Sequence, residues 1–197
     1  MTSTAVPLFP LGTVLFPDGP LPLRVFEPRY LDMVSRCLRE DSDFGVVLIL
    51  GGRDTGEVET SQVGSLARII DWYQGSDGIL GITAKGTRQF RLHGTSRQPD
   101  GLYVGEIELL PELPRIPLPE EFRPLATLLE SVIDDLGRLY AAIEKHYDDA
   151  AWVGCRLAEI LPMPPADKQR CLELTDPVEL LQFLRPMLRP FRRDKPQ

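Results

Sequence analysis

The sequence predicts an α+β protein: a β-rich first part followed by a helical second part. Three observations carry this. From residue 5 to about 110 the apolar residues come in short runs cut by glycine and proline, as strands and turns require. A proline-dense stretch follows, with Pro111, Pro114, Pro117 and Pro119 close together. Beyond it the apolar spacing changes to the three-and-four pattern of helices.

The runs at residues 8–15 and 21–25 are read as the first two strands, separated by the Phe16-Pro17-Asp18-Gly19-Pro20 turn, whose prolines cannot serve a central ladder. A helix is expected after Glu27-Pro28, because Tyr30, Met33, Val34, Cys37 and Leu38 recur at helical spacing and proline suits a first turn. Residues 44–50 form a continuous apolar run of strand length, and residues 66–73 another. Residues 78–83 and 87–92 read as a hairpin around Lys85-Gly86. The last strand spans 103–110, where Val104, Ile107 and Leu109 stand against Gly105, Glu106 and Glu108.

The prolines at 111–119 make a stiff extended connector, which places the boundary between a β-rich domain at 1–113, a connector at 114–119 and a helical bundle at 120–197. In the bundle, residues 122–139, 152–161 and 178–188 are helical. Pro162, Pro164 and Pro165 mark turns, while Thr175-Asp176-Pro177 offers an N-cap followed by proline.

Composition narrows the function. A chain of 197 residues with 43% hydrophobic content buries a substantial core. A net charge of -7 disfavours nucleic acid unless basic residues are segregated, and only Arg185, Arg189, Arg192, Arg193 and Lys195 gather that way. Cys37, Cys155 and Cys171 are odd in number and widely spaced, so they read as reduced packing residues. The N-terminus lacks a signal-peptide pattern and no apolar run reaches membrane-spanning length, which predicts a cytoplasmic protein without a membrane partner.

Catalytic motifs are not found. Gly81-Ile-Thr-Ala-Lys-Gly86-Thr87 mimics a phosphate loop but puts lysine before the second glycine, within alternating strand sequence. The only histidines, His93 at a strand end and His146 near the end of a polar helical stretch, lie far from any serine elbow. The acidic neighbours of His146, Asp148 and Asp149, read as a solvated face, so no metal or cofactor is expected. Arg24, Glu27, Arg29 and Tyr30 are candidate binding residues, a charged set beside an aromatic at a strand-to-helix junction. Phe9, Phe16, Trp72 and Tyr73 are the aromatic candidates for gripping extended apolar peptide.

The stretch Pro7-Leu-Phe-Pro-Leu-Gly-Thr-Val-Leu-Phe-Pro17, with Leu21-Pro-Leu-Arg-Val-Phe-Glu-Pro-Arg-Tyr30 and Met33, closely resembles the opening of the Lon protease N-terminal domain family. Val63-Gly-Ser-Leu-Ala-Arg-Ile69, Ile82-Thr-Ala-Lys-Gly-Thr-Arg-Gln-Phe-Arg-Leu92 and Leu157-Ala-Glu-Ile-Leu-Pro162 extend the likeness, as do Lys168-Gln169 and Leu172-Glu-Leu174. The resemblance implies a PUA-like six-stranded β pseudo-barrel with one packed helix, followed by a C-terminal helical bundle. It also implies noncovalent recognition of unfolded or tagged polypeptides, in association with a protease or ATPase, and no enzymatic activity, because the family's AAA+ ATPase and Ser-Lys peptidase lie downstream of this domain. RNA binding by a PUA-like protein and small-molecule sensing in a pocket between the two parts are the alternatives.

Overall fold

The computed structural model describes residues 4–52 and 58–188. Seven strands come first, with one helix among them: β1 (Thr4–Leu11), β2 (Pro20–Val25), α1 (Pro28–Glu40), β3 (Phe44–Gly51), β4 (Glu59–Thr60), β5 (Val63–Gln74), β6 (Leu80–Arg97) and β7 (Tyr103–Leu109). Then come α2 (Arg123–Leu136), α3 (Ala150–Ile160), α4 (Pro165–Glu173) and α5 (Pro177–Leu184), with 3-10 turns at Glu120–Phe122 and Gly137–Tyr140.

The strands form one sheet in the order β1-β7-β6-β5-β3-β4, with β2 on β6 outside that path and a short parallel β1–β3 pairing. This corrects the six-stranded pseudo-barrel. Among the described residues the sheet has seven strands and keeps free edges, since β2 pairs only with β6 and β4 only with β3, so it is not a closed six-stranded barrel.

The reason lies in β6, an 18-residue strand that serves three neighbours in turn. It takes β2 along residues 80–85, β5 along 80–91 and β7 along 90–97, with register shifts that bend the ladder. The hairpin expected around Lys85-Gly86 is therefore also corrected, because β6 runs straight through it. Glycine stands at 86 for close approach: a Cβ there would fall 2.1 Å from the Phe16 carbonyl oxygen. The backbone of the 16–19 loop is pinned at that point by Asp18 N–H to Gly86 O and Gly86 N–H to Gly19 O, both 2.9 Å. A glycine in a strand marks either a turn or another backbone close by, and sequence alone does not separate the two.

α1 covers one face of the sheet. Tyr30, Met33, Val34 and Cys37 meet Phe9, Val25, Phe44, Ile82 and Ala84 in one core cluster. Each large apolar side chain buried there contributes about 1.5–3 kcal/mol. The helix stops at Asp41, which takes the left-handed conformation (φ 49°) and returns its N–H to Cys37 O.

The helical part shares a second core with the sheet: Val14, Phe16, Leu48 and Val63 pack with Phe122, Leu129, Trp152 and Leu180. Two buried glutamine amides stitch the layers, Gln89 Nε2 donating to Leu172 O at 2.8 Å and Gln169 Nε2 to Val63 O at 3.0 Å. The Asp176 cap of α5 forms as expected, its carboxylate accepting from Val178 and Glu179 N–H.

Other local expectations shift. The first strand runs 4–11 instead of 8–15; residues 12–15 leave the sheet, and Leu15 O accepts from the buried Ser65 hydroxyl at 2.6 Å. The prolines at 162–165 do not only mark turns, because Pro165 opens α4 at its first position. His146 lies outside any helix, and His93 falls within β6 instead of at its end.

Candidate functional site

The eight candidate residues separate into a buried set (Phe9, Phe16, Tyr30), a half-buried pair (Glu27, Arg29) and an exposed set (Arg24, Trp72, Tyr73). Phe9, Phe16 and Tyr30 are core residues. Phe9 stacks on Tyr30 with ring centroids 3.9 Å apart and planes 20° apart. Burial raises the Tyr30 phenol pKa, with Arg29 acting in the opposite sense. The Arg29 guanidinium lies 4.7 Å from the centre of the Tyr30 ring, donates to Gly101 O at 3.0 Å and meets Glu27 at 2.7 Å. Gly101 turns with a positive φ of 87°, a conformation open to glycine because it lacks a Cβ. Glu27, Arg29 and Tyr30 thus come together as a clamp between the start of α1 and the β6–β7 turn.

Arg24, Trp72 and Tyr73 come together elsewhere, on an arm formed by β2 and the outer halves of β5 and β6. Arg24 and Tyr73 both pair with Gly81, one from each side, so they share a face; Trp72 pairs with Ile82 on the other. A Cβ at 81 would fall 2.3 Å from Tyr73 Cζ, so glycine lets the Tyr73 ring lie across β6. Trp72 is 61% exposed and Tyr73 55%.

The arm's tip is fixed by its turn. Gly75 N–H bonds Ile79 O at 2.8 Å, Gly78 takes φ 79°, and Asp77 accepts from Ile79 N–H at 3.1 Å. Asp77 also pairs with Arg24, which ties the tip to β2. The Ile79 N–H and the Arg24 guanidinium hold the Asp77 carboxyl below the usual carboxylate range. Arg24, Tyr73, Asp77 and Gly81 line a shallow hollow of about 260 Å³.

Two features of the arm bear on recognition. β5 meets β3 only along residues 65–67, so among the described residues its outer segment, 70–74, has a strand on one side only. That segment carries both exposed aromatics, although the Trp72 N–H is held by the Asp71 carboxylate at 2.9 Å. β2, in contrast, is a poor edge, because Pro20 and Pro22 remove two donors from six residues.

Sequence reasoning missed Phe26, which is 68% exposed, and Asp77. Both left a signal. Leu21, Leu23 and Val25 alternate, and Phe26 breaks that alternation just before the helix. Asp77 sits in Gly75-Ser-Asp-Gly78, a turn-forming run.

The remaining chemistry is structural. Cys155 is buried and its thiol is pushed up to about 12, an unreactive state. Arg156 is fully buried, donating to Pro17 O at 2.8 Å and meeting Glu159 at 2.9 Å; Tyr140 bonds the same carboxylate. Among the described residues no cluster of three or more His, Cys, Asp or Glu can hold a metal ion, and no helix is long and apolar enough to cross a membrane. Arg185 pairs with Glu121, while Arg189, Arg192, Arg193 and Lys195 lie outside the described residues.

Comparison with known proteins places this architecture. Residues 5–189 match the family described as the ATP-dependent protease La (LON) substrate-binding domain. A crystal structure of a Lon N-terminal domain protein from Xanthomonas campestris is 39% identical, covering 93% of this chain and 98% of that one, with a TM-score of 0.76. The N-terminal domain of Lon protease from the Mycobacterium avium complex shares the fold at 16% identity and a TM-score of 0.63, covering 98% of this chain and 100% of that one. Lon protease of Phenylobacterium zucineum is 26% identical over 187 residues, 87% of this chain. Protein cereblon of Danio rerio is 30% identical over 112 residues, 54% of this chain. The chain spans 23% of the former and 26% of the latter, about a quarter of each relative's length. The chain belongs to the substrate-binding domain family of Lon proteases.

Proposed function

We propose that this module recognises unfolded polypeptide through the β2–β5–β6 arm. One observation carries the reading: two consecutive exposed aromatics, Trp72 and Tyr73, stand on a strand segment whose other side has no partner strand among the described residues. Rigid aromatic rings supply apolar contact at low entropic cost, and an unpaired strand edge supplies main-chain register to an extended chain. Phe26 adds a third exposed ring just past Val25, which pairs with Leu80 at the arm's tip. The Arg24–Asp77 pair neutralises the tip, so apolar contact dominates. Because relatives of this fold are named Lon protease, we assign the bound polypeptide to proteolysis, handed to a protease or ATPase.

A labelled, permanently unfolded polypeptide titrated with the protein, read by fluorescence anisotropy, tests this. The Trp72→Ser, Tyr73→Ser double variant, both positions being exposed, keeps its fold and binds about tenfold or more weakly, the loss expected when central aromatic contacts are removed. Undiminished affinity in the folded variant refutes the assignment of the arm.

A further inference from the structure

We propose that a cavity at the N-terminal turn of α3 binds a small organic carboxylate, at a site separate from the β5–β6 arm. The cavity measures about 90 Å³ and sits where the connector, the 16–19 loop and α3 meet, bordered by Arg88, Arg115, His146, Asp149, Trp152 and Cys155. A groove of about 630 Å³ lies beside it and shares Arg115, His146 and Asp149 with it.

Three independent features of this cavity attract an anion. Trp152 is only 4% exposed, and its indole Nε1, a donor with no acceptor capacity, has no hydrogen-bond partner. A buried donor left unpaired is costly, and an acceptor in the cavity relieves that cost. Arg115, exposed at the mouth, makes no ion pair among the described residues. The first turn of α3 adds the partial positive charge of a helix N-terminus.

The three carboxylates that line the cavity itself do not answer these groups, because each is already engaged. Asp149 caps α3 through Ala151 N–H at 3.0 Å, Glu112 faces Arg88 at 3.2 Å, and Asp18 faces Lys85 at 3.3 Å.

The surroundings select the class of anion. Tyr147 and His146 stand edge-on to the Trp152 ring, with centroids 5.1 and 6.2 Å away, and Ile116, Leu118 and Ala126 continue the groove as an apolar wall. Glu130 and Asp148 also line the groove and disfavour an anion there, a multiply charged one such as phosphate far more than a single carboxylate held on the side of Arg115. A single carboxylate on an apolar body satisfies both conditions: its oxygens accept from Trp152 Nε1 and Arg115, and its body lies along the wall. Such a group belongs either to a free acid or to the C-terminus of a peptide.

The chain has two tryptophans, so Trp72→Phe leaves Trp152 as the sole tryptophan, excited selectively at the red edge where tyrosine does not absorb, inside the site itself. Titration of this variant with benzoate is expected to change Trp152 emission saturably, while benzamide, of the same shape and uncharged, does not. Adding Arg115→Ala, at an exposed position that does not test the fold, weakens benzoate about tenfold or more. A short apolar peptide that competes with benzoate only when its C-terminus is free identifies a chain terminus as the source; binding of benzoate with no competition by that peptide identifies a free acid. A flat titration at millimolar benzoate, equal responses to benzoate and benzamide, or an unchanged Arg115→Ala variant overturns the site and leaves the reading of the arm standing.

Discussion

Gly86→Ala should unlock the loop that joins β1 to β2 from the sheet. The added methyl group falls 2.1 Å from the Phe16 carbonyl oxygen and 2.9 Å from its carbon, both backbone atoms that no side-chain rotation relieves. Strand and loop must separate, and the two 2.9 Å bonds between residues 18–19 and Gly86 lengthen with them. Overpacking of this kind costs about 1–3 kcal/mol and each backbone bond about 0.5–1.5, so the loss falls at about 2–6 kcal/mol. Urea unfolding followed by far-UV circular dichroism measures it, and the melting temperature should fall by roughly 2–4 °C for each kcal/mol. Gly94→Ala is the control. It lies in the same strand, with nothing within 4 Å of the new carbon and no positive φ, so its effect should stay within about 1 kcal/mol and favour the fold. Equal effects of the two substitutions would refute the close approach at residue 86, and with it the explanation for the uninterrupted β6.

Other outcomes follow from the same geometry. Burial raises the Glu159 carboxyl above its ordinary 4.5, against the pull of Arg156. The folded chain therefore holds that proton more tightly than the unfolded one; the stability this gives is complete below 4.5 and lost as pH rises through the folded value. Denaturant unfolding across that range should show wild type losing stability with rising pH relative to Glu159→Gln, and parallel profiles would contradict the burial. The three cysteine thiols are buried, with Cys155 pushed up to about 12 and Cys171 to about 11, so a thiol reagent at mildly alkaline pH should label none in the native protein and all three after unfolding. Gly81→Ala should lift the Tyr73 ring from β6 and weaken polypeptide binding without removing an aromatic; unchanged anisotropy would show that the ring's placement does not matter.

Where one element has one periodicity, the sequence was sufficient. α1 follows from Tyr30, Met33, Val34 and Cys37, because only one helical face at that spacing meets a sheet. The cap at Asp176 follows from its short carboxylate beside Pro177. The parts that were not legible depend on neighbours distant in sequence. Gly86 and the turn glycine Gly78 are the same residue type, and only the position of Phe16 distinguishes a strand glycine from a hairpin glycine. Pro165 reads as a turn in the sequence because a proline that starts a helix and one that ends a segment look alike until Cys171 and Leu172 find a core.

The candidate site divides on the same principle. Trp72 and Tyr73 are exposed because β5 runs on past its contact with β3, while Phe9 of β1 and Tyr30 of α1 close on each other between sheet and helix. Neither outcome is written in the local pattern, since an aromatic on an alternating strand fits either face until the opposing layer is known.

Hydrogen exchange of the protein, alone and saturated with a permanently unfolded polypeptide, tests polypeptide recognition by the arm most directly. Slowed exchange concentrated in residues 70–80, extending to 24–26, is the expected result, since those amides lie on the edge and tip offered to an extended chain. Saturating binding that leaves these amides unchanged and protects α1 or the helical part instead would contradict it.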